Sequence, residues 1–184
     1  MGTASATLTT WEEFLLLPDE QEYDKGNHLE LHDGEVVVVP PPRAVHTYKQ
    51  AWLVKWFTLA AQGQGYAMAE FPYRPAANLQ FWRADVAYLP NEDWQALRRD
   101  DYPVYSPPLI VEVLSPSHRR AKIDQQRMVA FSGGTREFWV VDLTRRTIEV
   151  TVPGRPSRVH GENETIAVTV LPGVVFPVSE LFRD

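Results

Sequence analysis

The spacing of apolar residues changes several times along the chain, and each change marks a predicted element. Thr10–Leu17 has a threonine and two glutamates ahead of apolar residues, which predicts a short capped helix. Leu29–Leu31 and Glu35–Val39 flank an Asp-Gly pair, which predicts a β-hairpin. From Val45 to Gln62 the apolar residues recur at helical spacing, so a second helix is expected there.

Most of the later apolar runs are short and rich in β-branched or aromatic residues, which predicts strands. The predicted strands are Tyr66–Glu70, Arg74–Leu79, Arg83–Leu89, Leu109–Leu114, Glu137–Leu143 and Thr147–Val152. Helical spacing predicts a third long helix from Arg119 to Phe131, and the polar run Asn91–Ser106 predicts a loop anchored by Trp94 and Leu97. The tail predicts edge strands over Thr165–Val170 and Val174–Phe176, then a turn of helix at Val178–Phe182.

This order of elements predicts an α/β protein whose central mixed β-sheet is flanked by helices, with an N-terminal helix and β-hairpin. The strand–helix–strand unit from Leu109 to Leu143 is expected to form a right-handed parallel crossover. No repeat or low-complexity tract interrupts the 184 residues, so one domain over residues 1–184 is expected.

Composition narrows the chemistry. The chain has no cysteine, which excludes disulfides and thiolate zinc sites. No apolar run reaches the roughly 20 residues of a membrane span, and the N-terminus lacks the pattern of a signal peptide. A protein of the cytoplasm with no membrane partner is therefore expected.

The charges are unevenly distributed. The net charge is −6, but the segment from Ser117 to Arg158 holds nine Lys or Arg against four acids, for a net +5. Such a segment is able to meet a phosphate backbone. An ordinary solvated face explains the same charges equally well.

Two acids stand inside apolar, β-branched runs. Asp85 lies within Arg83–Leu89, and Glu112 lies within Leu109–Leu114. A carboxylate on a buried strand is costly unless it is paired or holds a cation. If the two strands are neighbours, both carboxylates are able to share one Mg²⁺ or Mn²⁺. The alternative is structural, with each carboxylate capping a strand end or pairing with an arginine.

The third long helix offers such an arginine. Ile123, Arg127 and Phe131 share one face by their spacing of four residues, so we expect Arg127 to point inward, towards Asp85 or Glu112. Gln126 lies at the edge of the same stripe. Arg127 would then either stabilise a phosphoryl transition state or neutralise a buried carboxylate.

An ordered set of short motifs carries a resemblance to a known family. The motifs are Trp11-Glu12-Glu13-Phe14-Leu15, the hairpin from Leu29 to Val38, Pro41-Pro42 with His46, Ala84-Asp85-Val86, Val111 to Ser117, and Gly134 to Asp142. Together they resemble the Uma-type restriction endonucleases, a bacterial family of unknown function in the PD-(D/E)xK nuclease superfamily. The resemblance implies a restriction-endonuclease-like core, Mg²⁺ and hydrolysis of DNA phosphodiester bonds. It also implies a homodimer.

The resemblance implies roles for individual residues. Asp85 matches the first acid of the superfamily and Glu112 the second, whereas Leu114 stands where many members have a lysine. In this branch the lysine is shifted onto the following helix, four residues before an aromatic, which corresponds to Arg127. Arginine stays protonated, so it stabilises charge but does not activate water.

Four residues take candidate roles through the family pattern or the helix. Lys122 is the nearest lysine but lies about 100° from the face of Arg127, and Gln126 is the alternative water-orienting group. Glu30 matches the family and is a candidate metal ligand or a solvent-exposed acid. His46 also matches, with either a structural role or a phosphate contact.

Three hypotheses follow. The first is a Mg²⁺-dependent endonuclease with Asp85, Glu112, Arg127 and Gln126 at its centre. The second is a catalytically degenerate relative that binds nucleic acid or a protein partner without cleavage, which the arginine at position 127 favours. The third is an interaction domain in which Arg127 and Glu112 form a buried ion pair.

Overall fold

The computed structural model describes residues 8–17, 27–97, 102–114 and 120–183. The helices in these ranges are α1 (Trp11–Phe14), α2 (Ala44–Ala60), α3 (Asn91–Ala96), α4 (Arg120–Ser132) and α5 (Val178–Phe182). The strands are β1 (His28–His32), β2 (Glu35–Val39), β3 (Gly65–Tyr73), β4 (Gln80–Pro90), β5 (Leu109–Val113), β6 (Glu137–Asp142), β7 (Thr147–Thr151), β8 (Arg158–Gly161), β9 (Thr165–Ala167) and β10 (Val175–Pro177).

The predicted mixed sheet is confirmed. The strands run in the order β2-β1-β4-β5-β6-β7-β8, and β3 pairs separately with β4. All of these pairs are antiparallel except β5 with β6, which lie parallel with α4 between them in the chain. A parallel pair needs a crossover connection, and α4 supplies it.

Helices cover both faces of this sheet. On one face, Leu53 and Phe57 of α2 and Leu181 of α5 pack with strand residues such as Trp139. On the other face, Ile123 and Ala130 of α4 pack against a second cluster. The strand β5 is buried along its whole length between these layers, as its continuous apolar run predicts.

The N-terminal helix and hairpin form a smaller cluster beside the main sheet. Thr10 and Glu13 form a capping box at the start of α1, in which each side chain binds the backbone N–H of the other residue. Trp11 and Phe14 of α1 pack against the hairpin. The hairpin turns at Asp33-Gly34, both in the left-handed region, as the Asp-Gly pair predicts.

Several predicted boundaries differ from the structure. The predicted strand Arg74–Leu79 is wrong, because these residues form an irregular connection before a longer β4. The predicted loop after Pro90 begins with α3, and the strand β8 has no predicted counterpart. The predicted start of the α4 helix at Arg119 lies outside the described residues. None of the helices in the described ranges is long and apolar enough to cross a membrane.

Candidate metal centre

The strands that carry Asp85 and Glu112 are neighbours, which meets the condition for a shared cation. Val86 of β4 pairs with Val111 of β5, so the two acids occupy the next positions along the register. Beyond this pair, hydrogen bonds between side chains and the backbone replace the backbone hydrogen bonds of the sheet. Val113 N–H donates to Asp85 Oδ2 at 2.6 Å, and Asp85 N–H approaches Glu112 Oε1 at 3.4 Å. Each carboxylate is therefore held by the backbone of the other strand.

The helix α2 supplies two polar side chains to the same place. His46, Gln50, Leu53 and Phe57 are its buried residues, spaced by three or four so that they share one face. His46 Nε2 lies 3.0 Å from Asp85 Oδ1. The Gln50 amide donates to Asp85 Oδ1 at 3.1 Å and also to Glu70 Oε1.

Glu70 completes this cluster from β3. It lies in the middle of the strand yet has a φ of +52°, in the left-handed region that non-glycine residues rarely adopt. The ligand atoms of His46, Glu70 and Asp85 all lie within 4.8 Å of one another. A strained residue among potential ligands is typical of functional sites.

The sequence reasoning missed Glu70 and Gln50. Glu70 stands at the end of a predicted strand, where nothing in the apolar pattern marks its unusual backbone conformation. Gln50 had a signal, because it is four residues after His46 and three before Leu53 on the apolar face of a predicted helix.

The predicted contact of Arg127 with the carboxylates is wrong. Arg127 instead pairs with Glu149 at 2.8 Å and with Asp124 at 2.6 Å. The buried residues of α4 are Ile123, Gln126 and Ala130. The face towards the site therefore runs through Gln126, one residue or about 100° from the predicted stripe. Arg127 consequently lies towards β7.

That rotation brings Lys122 and Gln126 into the site. Gln126 Nε2 donates to Glu112 Oε1 at 2.8 Å, whereas the sequence pattern placed Gln126 only at the edge of the inward stripe. Lys122 is one turn earlier, and its Nζ lies 3.5 Å from Glu30 Oε2. The predicted offset of about 100° between Lys122 and the face of Arg127 remains, and it places Lys122 on the cleft side while Arg127 lies towards β7.

Glu30 is buried and occupied by other partners. His28 Nε2 lies 3.4 Å from its Oε1, and His32 Nε2 donates to its Oε2 at 2.7 Å. Arg83 N–H also donates to Oε1, at 3.2 Å. Burial raises the pKa of Glu30. The hydrogen bonds from the two histidines and the charge of Lys122 lower this pKa by more, so the net shift is downward. Glu30 is therefore an anion that holds Lys122, with little capacity left for a metal ion.

The electrostatics differ sharply at Glu112. Its burial, followed by the negative charges of Asp85 and Glu30, raises the pKa of Glu112 well above its usual range, although Asp85 N–H and Gln126 partly oppose this. At His46, burial lowers the pKa, but Asp85 and Glu70 outweigh it and the net shift is upward. The upward shift at Glu112 thus comes first from burial and then from the neighbouring carboxylates, whereas at His46 the neighbouring carboxylates alone raise the pKa.

These residues line one cleft of about 460 Å³. The cleft is lined by Asp85, Glu112 and Glu70, together with Lys122 and Gln126 of α4. The other boundary is formed by β2, by the three prolines that follow it and by Arg43. The cleft therefore combines converging acids with cationic side chains, as a site for a metal ion and a phosphate requires.

The structure is thus a mixed sheet with helices on both faces and an acidic cleft at β4 and β5. A solved structure described as a putative nuclease belonging to DUF820, from Anabaena variabilis ATCC 29413, has the same fold, with a TM-score of 0.79. The two share 20% sequence identity, and the match covers 94% of this chain and 97% of the other.

The chain belongs to the family described as Uma2, putative restriction endonuclease, which it matches over residues 11–179. The resemblance carried by the sequence motifs is thus confirmed. Membership supports a nuclease-like function, and with it divalent metal use and an interaction with nucleic acid. A search of curated protein sequences gave no match.

Proposed function

We propose that the protein is a metal-dependent endonuclease that hydrolyses phosphodiester bonds of DNA. The observation that carries this proposal is the cluster of His46, Glu70 and Asp85, whose ligand atoms lie within 4.8 Å of one another beside Glu112. The family match supports the nuclease chemistry.

The donor set fits a hard divalent cation. Asp85, Glu70 and Glu112 offer carboxylate oxygens, and His46 offers one imidazole nitrogen. His46 Nε2 is buried and makes no well-directed hydrogen bond within the described chain, although Asp85 is close. Oxygen ligands with one imidazole suit Mg²⁺ or Mn²⁺ better than zinc. When bound, such an ion polarises a phosphodiester and promotes formation of the attacking nucleophile from water.

The surrounding residues hold this donor set in place. The amides of Gln50 and Gln126 donate to Asp85 and Glu112, which fixes the orientation of both carboxylates. Gln126 thus acts as a positioning residue. Partners of this kind usually matter nearly as much as the ligands themselves.

Lys122 takes the cationic role that the sequence suggested for Arg127. Its ammonium group lines the cleft and is held by Glu30, which is itself fixed by two histidines. A fixed positive charge beside a phosphate stabilises the negative charge that develops during hydrolysis. In this scheme Glu30 positions Lys122, and Arg127 only links α4 to β7.

Nicking of supercoiled plasmid tests the proposal. The wild-type protein should convert plasmid to the open circle with Mg²⁺ or Mn²⁺, and Asp85→Asn should lose roughly 100-fold or more of this rate. Asp142→Asn is the matched control, because Asp142 binds only the turn after β6. Equal nicking by Asp85→Asn would contradict the proposal. Plasmid binding without any nicking would support the catalytically degenerate alternative.

A further inference from the structure

The basic segment predicted to meet a DNA backbone is largely paired with acids of the same chain. The described ion pairs are Arg120–Glu149, Arg127–Glu149, Arg145–Asp142, Arg146–Glu162 and Arg158–Glu164. Binding to a duplex draws most of its affinity from cations that neutralise many phosphates. Because these arginines already have anionic partners, the net positive charge that they offer to a duplex backbone is reduced.

The carboxylates are recessed. The side chains of Asp85 and Glu112 line the cleft and are largely buried, with Asp85 14% exposed. A rigid duplex holds its phosphates on a wide convex surface, whereas an unpaired strand bends and presents one phosphate at a time. The burial of the carboxylates therefore favours an unpaired strand.

One boundary of the cleft is apolar, and we call Val37–Pro42 the proline rim. All six of its residues are valine or proline, all line the cleft, and Val38 is 51% exposed. Ile123 of α4 also lines the cleft. An apolar surface beside a phosphate site suits the faces of unstacked bases and the sugars, which a duplex keeps largely inside its stack.

The end of the proline rim leads into a place for a phosphate. The helix α2 begins there, with Arg43 at its N-cap, no side chain capping its first turn and no acid within that turn. Its free N–H groups and dipole favour an anion. His46, in the same turn, is buried with its Nε2 3.0 Å from Asp85 Oδ1, as part of the candidate metal cluster. Arg43 and Lys122 add positive charge to the same cleft.

We propose that the cleft accepts an unpaired nucleic-acid strand, with its bases or sugars against the proline rim and a phosphate beside the carboxylates, near Arg43 and Lys122. This inference rests on the proposed function and specifies its substrate class. It differs from the prediction that the basic segment meets the phosphate backbone.

Cleavage of matched substrates tests the inference. Oligonucleotides of one sequence are compared as single-stranded DNA, single-stranded RNA, blunt DNA duplex and duplex with an unpaired tail. In Mn²⁺ the single strand and the unpaired tail should be cut at least about tenfold faster than the blunt duplex. Cleavage of the single-stranded RNA shows whether the protein accepts RNA as well as DNA. Equal cleavage of blunt duplex and single strand would overturn the inference.

Binding separates failure of this inference from failure of the proposed function. Fluorescence anisotropy in EDTA measures affinity without cleavage. If no substrate is cut but single strands bind more tightly than duplex, the proposed function fails and the inference stands. If the duplex binds as well as the single strand, or if the single strand is neither bound nor cut, the inference fails.

A pair of valine variants locates the contact. Val38→Ser should weaken single-strand binding about fivefold, because it removes apolar surface from the proline rim. Val159→Ser is the matched control, since Val159 is a similarly exposed strand valine on β8 outside the cleft. Circular dichroism confirms that both variants fold. Unchanged single-strand affinity in Val38→Ser would exclude the proline rim as the contact surface.

Discussion

Arg127 lies outside the candidate metal centre and pairs with acids of α4 and β7. Its guanidinium binds Glu149 and Asp124 and also donates to Thr151 Oγ1 at 3.3 Å. Burial raises the pKa of Glu149, but hydrogen bonds from Arg120 and Arg127 outweigh it, so the net shift is downward. Arg127 therefore stabilises the contact of α4 with β7.

Arg127→Met should lower the free energy of unfolding by about 1 kcal/mol near neutral pH, without weakening Mn²⁺ binding. A carboxyl with a lowered folded pKa stabilises the protein above its ordinary value of 4.5, and this stabilisation is lost as the pH falls through the folded value. The difference from wild type should accordingly shrink in acid. Urea unfolding near neutral pH and in acid measures this difference in stability.

The exposed Arg155 provides the control, since Arg155→Met should leave stability unchanged. If Arg127→Met kept full stability but lost Mn²⁺ binding, the original inward placement of Arg127 would be the better description.

In the proposed function, Lys122 supplies the positive charge beside the phosphate. Lys122→Met should reduce the rate of DNA cleavage roughly 100-fold while leaving Mn²⁺ affinity unchanged or tighter, because a positive charge near the carboxylates is removed. Lys55→Met, on the exposed side of α2, is the control. Single-turnover cleavage and Mn²⁺ titration measure the two effects, and a wild-type rate in Lys122→Met would rule out the assigned role.

At the scale of elements, the sequence predicted most of the sheet and much of the site. Long apolar runs such as Leu109–Leu114 and Glu137–Leu143 predicted buried strands because both of their faces are covered. The contacts of Asp85 and Gln126 followed from those elements. The roles of Arg127 and Lys122 did not, because the angular position of an amphipathic helix is poorly fixed when polar residues lie within its buried face.

Glu70 could not have been predicted from spacing. Its role depends on a left-handed backbone in the middle of β3, and that conformation leaves no trace in the apolar pattern. For an L-residue this conformation costs about 1–2 kcal/mol. The strain is consistent with a residue held for its side chain.

Glu70→Gly should therefore weaken Mn²⁺ binding while leaving the protein in EDTA as stable as wild type, or more stable by up to about 1 kcal/mol. Ala69→Gly is the matched control in the same strand. Its ordinary backbone conformation means that glycine should cost roughly 0.5–1 kcal/mol there. Thermal unfolding in EDTA compares the two, and a large loss of stability in Glu70→Gly would indicate that Glu70 serves the fold.

At the scale of the whole molecule, the sheet brings distant parts of the chain to one place. The strand β4 pairs with β1 at Gln80 and Phe81, and with β5 from Val86 to Tyr88. Between these pairings, the N–H groups of Arg83 and Asp85 face the carboxylates of Glu30 and Glu112. The cleft thus lies where β1 and β5 diverge along β4.

Three whole-molecule expectations stay predictions: the homodimer, the cytoplasmic location and the extent of a single domain over residues 1–184. The uneven distribution of charge was read correctly from the sequence, but its consequence depends on contacts that the sequence does not show. Five arginines of the basic segment find acidic partners only after the chain has folded.

The central claim is that His46, Glu70, Asp85 and Glu112 hold a divalent cation. Calorimetric titration of the metal-free protein with Mn²⁺ tests it most directly, in parallel with Asp85→Asn and the control Asp142→Asn. We expect the wild type and Asp142→Asn to bind Mn²⁺ saturably. We expect Asp85→Asn to lose at least about tenfold in affinity. Equal binding by Asp85→Asn, or no binding by the wild type, would contradict it.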